Sequence, residues 1–221
     1  MDEDIHEYDG DAIDVTWDGE RCIHARECVH GLPEVFDTDR RPWIDPDGAD
    51  ADEVARVVER CPTGALHFER ADGSGETTPR RNTVTLAPDG PLYLRGDVVI
   101  EGDDGETRLQ DTRVALCRCG ASDNKPLCDG THGDEAVAFD ADGVAPDAVV
   151  VTDDGDDGGP DDPIRVTPTE DGPFVVDGRY DLRDADGDES REGGALCRCG
   201  GSAGKPFCDG THADIGFSSD D

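Results

Sequence analysis

Residues 115–132 read ALCRCGASDNKPLCDGTH, and residues 195–212 read ALCRCGGSAGKPFCDGTH. Of these 18 paired positions 14 are identical, so the chain carries one unit twice. The likeness runs on more weakly upstream, where Gly90 and Pro91 match Gly172 and Pro173 and Gly96 matches Gly178. The offset is 82 residues upstream and 80 in the motif, so two residues are lost between them in the second copy. Ahead of each motif, apolar and β-branched runs at 83–86, 92–94 and 98–100, and again at 164–166 and 174–176, are separated by Pro, Asp and Gly and predict short strands. Small antiparallel sheets are expected, with the cysteines on a loop. Residues 129–132 would open a short helical turn, with Asp129 and Asp209 as the N-caps of the two copies.

The nine cysteines fall into three sets of three: Cys22, Cys28 and Cys61; Cys117, Cys119 and Cys128; Cys197, Cys199 and Cys208. An odd count cannot pair completely within one chain, and in an intracellular protein it points to metal or redox chemistry. The ligand sets read from the repeats are Cys117, Cys119, Cys128 and His132, then Cys197, Cys199, Cys208 and His212. Thiolates are soft donors that suit iron–sulfur clusters or zinc, and imidazole suits either metal. Zinc knuckles usually place two residues between paired cysteines, whereas here there is one. That spacing fits one iron of a two-iron cluster more easily than a single tetrahedral ion. Cys128 and His132, four residues apart on one face of the turn, would hold the other iron.

Each motif resembles the CDGSH iron–sulfur domain, with Thr131 and Thr211 where the family name has Ser. Members of that family bind a [2Fe–2S] cluster through three Cys and one His and are associated with electron or cluster transfer. In dimeric members the sheets are shared, so two copies in one chain imply an intrachain pseudo-dimer. Replacing one thiolate by neutral imidazole leaves the oxidised cluster with a charge of about −1 rather than −2, which raises its potential above that of an all-Cys centre. A protonatable histidine also couples the redox state or retention of the cluster to pH. Arg118, Arg198, Lys125 and Lys205 stand where they could offset the cluster's charge, and the two lysines are the only ones in the chain. With Asp129 and Asp209 they form the expected cofactor-binding set.

The first cysteine set has a different pattern. Cys22-Ile-His-Ala-Arg-Glu-Cys28, with Cys61-Pro62 far downstream, follows the ferredoxin spacing C-x2-C-x2-C…C-P, except that Ala25 replaces the second cysteine. Residues 13–70 resemble the divergent single-cluster [4Fe–4S] ferredoxin domain, a small ferredoxin-like α+β unit. Three thiolates suffice for a [3Fe–4S] cluster, or for [4Fe–4S] with His24 as a fourth ligand. His30 and His67 read as ordinary polar residues. Ile13 to Trp17 predicts a strand. Asp50 and Glu53 stand at capping-box spacing before a helix with apolar positions Val54, Val57, Val58 and Cys61, which Pro62 and Gly64 stop before a returning strand at 65–68. The expected fold class is α+β, with a ferredoxin-like domain at 11–72 and two β-rich modules at 80–135 and 160–216. Loop-like stretches at 71–81 and 153–162 separate them.

Acidic residues outnumber basic ones 55 to 20, for a net charge of −35. Such a charge repels nucleic acid and anionic membranes. The Asp-rich, Lys-poor composition points to adaptation to high salt, in which self-repulsion is screened. No apolar run approaches the roughly 18 residues of a membrane span, and the first residues do not resemble a signal peptide, so a cytoplasmic protein is expected. No Ser/His/Asp set, phosphate loop or flavin fingerprint appears, and an enzyme active site is not expected. The expected role is electron transfer to and from a redox partner protein, with cluster or iron delivery to an apo acceptor, or redox sensing, as further roles. The internal duplication makes a monomer plausible. The alternative is a zinc-stabilised structural or interaction module, since small pieces commonly need a metal to fold.

Overall fold

The computed structural model describes residues 5–144, 160 and 162–219. The acidic stretch at 153–162 falls outside that range except for Pro160 and Asp162. The chain divides into two compact units, with the boundary after Thr77. No helix among the described residues is long and apolar enough to cross a membrane.

The first unit is an antiparallel sheet of β1 (Ile5–Tyr8), β2 (Ile13–Asp18) and β3 (Leu66–Arg70), in that order, with α1 (Glu27–Gly31) and α2 (Ala51–Val58). Ile13 and Val15 alternate inward from β2 and pack with Val54, Val58, Leu66 and Phe68. Each such side chain contributes roughly 1.5–3 kcal/mol on burial. The Asp50 side chain caps α2 by accepting the Asp52 N–H at 3.0 Å, one residue earlier than the reciprocal box with Glu53 requires. The helix ends at Val58, and Cys61 lies beyond it in a tight turn, its N–H 2.9 Å from the Val58 carbonyl, still packed against the core at partial burial. The short helix α1 and strand β1 have no signal in the sequence reading.

In the second unit β4 (Thr83–Leu86), β5 (Leu92–Glu101), β6 (Thr107–Leu116), β7 (Ile164–Pro168), β8 (Phe174–Asp184) and β9 (Gly187–Leu196) make one six-stranded sheet. The small antiparallel sheets expected are therefore corrected to a single mixed sheet, with parallel pairs β4–β8 and β5–β7. The reason lies in two glycines. At Gly96, with φ +139°, and at Gly178, with φ +100°, the long strands bulge and change neighbour. The first half of β5 pairs with β4 and its second half runs parallel to β7. Reciprocally, the first half of β8 pairs with β7 and a later part runs parallel to β4. A Cβ on Gly96 would lie 2.2 Å from the Asn82 side-chain oxygen, and one on Gly178 would lie 2.7 Å from the Pro163 carbonyl. The hairpin turn shortens from 102–106 in the first copy to 185–186 in the second while β8 is one residue longer than β5, which together account for the two lost residues. Val84, Leu94, Val98 and Leu116 share one core with Ile164, Val176, Leu182 and Leu196, so neither copy has an interior of its own.

Candidate functional site

The ends of β6 and β9 set the two repeated sites. After Leu116 the chain loops out and returns so that the Cys117 N–H meets the Pro126 carbonyl at 3.0 Å and the Cys128 N–H meets the Ala115 carbonyl at 2.9 Å. In the second copy the Cys197 N–H meets the Pro206 carbonyl at 2.8 Å and the Cys208 N–H meets the Ala195 carbonyl at 2.9 Å. Two serines staple these loops. Buried Ser122 donates to the Leu127 carbonyl at 2.7 Å and accepts the Asn124 N–H, and Ser202 repeats this with Phe207 and Gly204. Both serines lie in the repeated motif, and their identity in the two copies was the signal that could have singled them out.

The donors come together in pairs. Cys117 Sγ and Cys119 Sγ are 3.8 Å apart, as are Cys197 Sγ and Cys199 Sγ. Cys128 Sγ lies 3.3 Å from His132 Nδ1, and Cys208 Sγ lies 3.3 Å from His212 Nδ1. A disulfide would bring the sulfurs to about 2.05 Å. Two sulfurs each about 2.3 Å from one tetrahedral metal lie about 3.8 Å apart. Sulfur and nitrogen on such a metal lie about 3.5 Å apart by the same geometry. The paired donors therefore fit two adjacent metal positions per repeat, and among the described residues no three His, Cys, Asp or Glu side chains form a single-ion site.

Electrostatics ties each pair together. A hydrogen bond from the Cys119 thiol lowers the pKa of Cys117, while Cys119 is raised in return. Burial pushes Cys128 up to about 12, with the Cys117 thiolate adding to the rise. The Gly130 N–H approaches Cys128 Sγ at 3.4 Å and the Gly201 N–H approaches Cys199 Sγ at 3.4 Å, both oriented to favour thiolate. Asp129 and Asp209 lie one residue before the cap position, which Gly130 and Gly210 occupy. Their carboxylates accept the N–H groups of Thr131 and Thr211 two residues on and close the loop by accepting from Asp123 and Ala203. The expected N-caps are thus loop clamps instead. They turn the segment so that the histidine returns to the preceding cysteine.

The cationic residues divide into anchors and a rim. Arg118 is buried and donates to the carbonyls of Gly90, Ala87 and Asp142, beneath the Phe139 ring. Burial lowers its pKa to about 10, and Cys197 of the other repeat is the largest charge resisting that fall. Arg198 donates to the Thr169 carbonyl and lies over the rings of Phe174 and Phe217. Lys205 donates to the Ser202 carbonyl at 2.9 Å, and Lys125 takes the equivalent position in the sequence.

The two loops also touch each other. Gly120 has φ +81° and Gly200 has φ +76°, and a Cβ on either would come within 2.9 or 2.8 Å of the Cys199 or Cys119 carbonyl oxygen, respectively. The backbone of a cysteine in one repeat thus packs against the glycine beside the equivalent cysteine in the other.

In the first unit Cys22, Cys28 and Cys61 line one cavity with His24, Ala25 and Trp17. The loop between Cys22 and α1 turns back on itself through left-handed His24, φ 57°, and Arg26, φ 65°. Burial pushes Cys28 up to about 11, with neighbouring Cys61 and Cys22 adding to the rise. Arg60, just past the end of α2, pairs with Glu27 of α1 at 2.7 Å. His24 is exposed on the cavity wall. His67 pairs with Glu76 at 3.1 Å and His30 is exposed in the last turn of α1; neither lines the cavity. Trp17, Trp43 and Thr63 also line this space and escaped the sequence reading, which followed the cysteines alone.

Residues 8–71 match the family model described as a divergent 4Fe-4S mono-cluster, and residues 89–133 and 171–213 match the iron-binding zinc finger of CDGSH type. The chain is similar to the uncharacterized protein YjdI of Escherichia coli, strain K12. The two are 41% identical over 61 residues, covering 28% of this chain and 80% of the relative. The same protein of strain O157:H7 gives the same figures. No solved structure matches the chain.

Proposed function

Because the chain belongs to the divergent 4Fe-4S mono-cluster family over residues 8–71 and, twice, to the iron-binding CDGSH family, we propose that it relays electrons through three iron–sulfur clusters. Two would be [2Fe–2S] centres and one a [4Fe–4S] or [3Fe–4S] centre. The observation that carries this reading is the doubled arrangement of donors, a sulfur pair at 3.8 Å beside a sulfur–imidazole pair at 3.3 Å. Cys117 and Cys119 would hold one iron and Cys128 and His132 the other, with Cys197, Cys199, Cys208 and His212 repeating the set. A bound cluster supplies reversible one-electron chemistry. The chain's own residues fix the sulfurs, hold the thiolates by backbone N–H groups and shield the inner face.

The reciprocal strand exchange supports an intrachain pseudo-dimer, in which each repeat completes the sheet of the other. The contact of Gly120 with Cys199 and of Gly200 with Cys119 supports electron exchange between the two repeated centres. Cys22, Cys28 and Cys61 would hold the third cluster in the ferredoxin-like first unit, with His24 on the cavity wall as fourth ligand of a four-iron form. The buried charge of Arg118 near Cys197 supports its role in offsetting a cluster's negative charge. Electron partners would be proteins rather than nucleic acid or membrane, and no substrate-transforming step is assigned. A second reading, delivery of [2Fe–2S] to an apo acceptor, is favoured by the incomplete burial of His132 and His212, which leaves them open to protons.

The test is anaerobic purification in high salt, followed by visible absorption, EPR and metal analysis. About seven or eight irons per chain with matching sulfide support three clusters, and about four would remove the N-terminal one. A colourless protein with stoichiometric zinc overturns the relay. Transfer to an apo-ferredoxin that speeds up at mildly acidic pH supports delivery; no transfer at any pH refutes it.

A further inference from the structure

Strand β2 carries Ile13, Val15 and Trp17 toward one face, and Trp17 is the last of these, where the sheet gives way to the cysteine cavity. The indole is held firmly. It stacks on His6 at 5.4 Å with planes 20° apart and meets Trp43 edge-on at 5.3 Å and 81°. Trp43 and Trp17 both line the cavity that contains Cys22, Cys28 and Cys61. Trp43 in turn meets the Tyr8 ring edge-on at 6.3 Å. The Trp17 Nε1–H is shut away from solvent and has no acceptor among the described residues.

Burying an N–H without an acceptor costs about 1–3 kcal/mol, and a phenylalanine would fill much of the same space without that cost. The cavity beside it offers the missing acceptors once three thiolates and inorganic sulfide are present. We propose that the Trp17 indole N–H donates a hydrogen bond to a sulfur of the N-terminal cluster and raises its reduction potential. This rests on the reading that a cluster occupies this cavity. Reduction adds one electron, the sulfurs become more negative, and a fixed donor bonded to one of them favours the reduced state more than the oxidised one. Trp17 is thus a tuning residue that acts through the sulfur it touches, and it is distinct from the ligands.

The test uses the full-length holoprotein, purified without oxygen in high salt and labelled with 15N at the indole nitrogens. The N-terminal centre is identified as the EPR signal absent from Cys28→Ser. In wild-type protein this centre should show a 15N hyperfine coupling that survives Trp43→Phe and disappears in Trp17→Phe. At a fixed poise the reduced-to-oxidised ratio of that centre should fall about tenfold in Trp17→Phe, a shift of about 59 mV, and should hold in Trp43→Phe. A centre with no indole coupling in wild type overturns the proposal even if Trp17→Phe does not fold, as does a coupling that follows Trp43. The absence of any N-terminal EPR signal or iron defeats the underlying assignment of a cluster, which is a separate outcome.

Discussion

At the scale of single residues, the motif carries most of the site. The pairing of Cys117 with Cys119 and of Cys128 with His132 follows the spacing in the sequence, because a one-residue gap and a four-residue return leave few other meetings. The clamping roles of Ser122, Asp129 and Arg118 were not legible, since each depends on which backbone groups the folded loop presents. His132 supports two predictions. Substituting Cys for His132 makes the cluster more negative by about one charge, so His132→Cys should keep its iron, titrate at a lower potential and lose its colour more slowly in acid. An unchanged potential would remove His132 from the ligand set. The second concerns the protein without iron. Burial holds the His132 imidazole below its usual pKa, with Asp129 opposing and Arg118 reinforcing this. The unfolded chain then binds a proton more readily than the folded one, so stability rises with pH through the ordinary imidazole range near 6.5 and is lost below it. Urea midpoints between about pH 5.5 and 7.5 should therefore fall on acidification more steeply in wild type than in His132→Gln. Parallel slopes in the two proteins would sink this prediction.

At the scale of elements, the sequence marked where strands begin better than where they end. Runs at 92–94 and 98–100 read as two strands but are one, β5, because Gly96 bulges the strand without breaking it. Strands β6 and β9 were missed because their outer halves, 107–110 and 187–191, are mostly polar, and their pairing is set by the neighbouring strand. Asn82 shows how closely the two copies are joined. Its side chain donates to the Asp162 and Arg179 carbonyls and accepts the Asp97 N–H, while its own carbonyl accepts the Asp181 N–H. Removing that amide leaves buried backbone groups without partners, so Asn82→Ala should cost about 2–4 kcal/mol in urea unfolding. Gly120→Ala acts at the loop contact instead. A Cβ there combines a left-handed φ with a 2.9 Å approach to the Cys199 carbonyl, neither of which a flexible neighbour can relieve. It should destabilise the unit by about 1–3 kcal/mol and perturb the EPR signals of both repeats together. A change confined to the first repeat would show that the loops are not coupled.

At the scale of the whole molecule, charge decides how the protein responds to its solvent. With 55 acidic and 20 basic residues, even complete pairing leaves 35 carboxylates without a basic partner. Ion pairs do exist, including Arg165 with Glu101, Arg108 with Asp104 and Arg70 with Asp52. They lie on partly exposed side chains, where each contributes about 0–1 kcal/mol and weakens as salt rises. Repulsion among the unpaired carboxylates has the opposite sign and reaches further, because the Debye length is about 10 Å at 0.1 M salt and about 3 Å at 1 M. The two effects therefore compete with salt, and the numbers favour repulsion. The urea midpoint of the holoprotein should rise from 0.1 M to 1 M KCl and then level off as screening saturates. An uncharged osmolyte at matched osmolality should not reproduce the early rise, which separates screening from general exclusion of cosolute. A midpoint that falls with KCl would mean that the ion pairs dominate, and the excess of acidic residues would then need a reason other than salt.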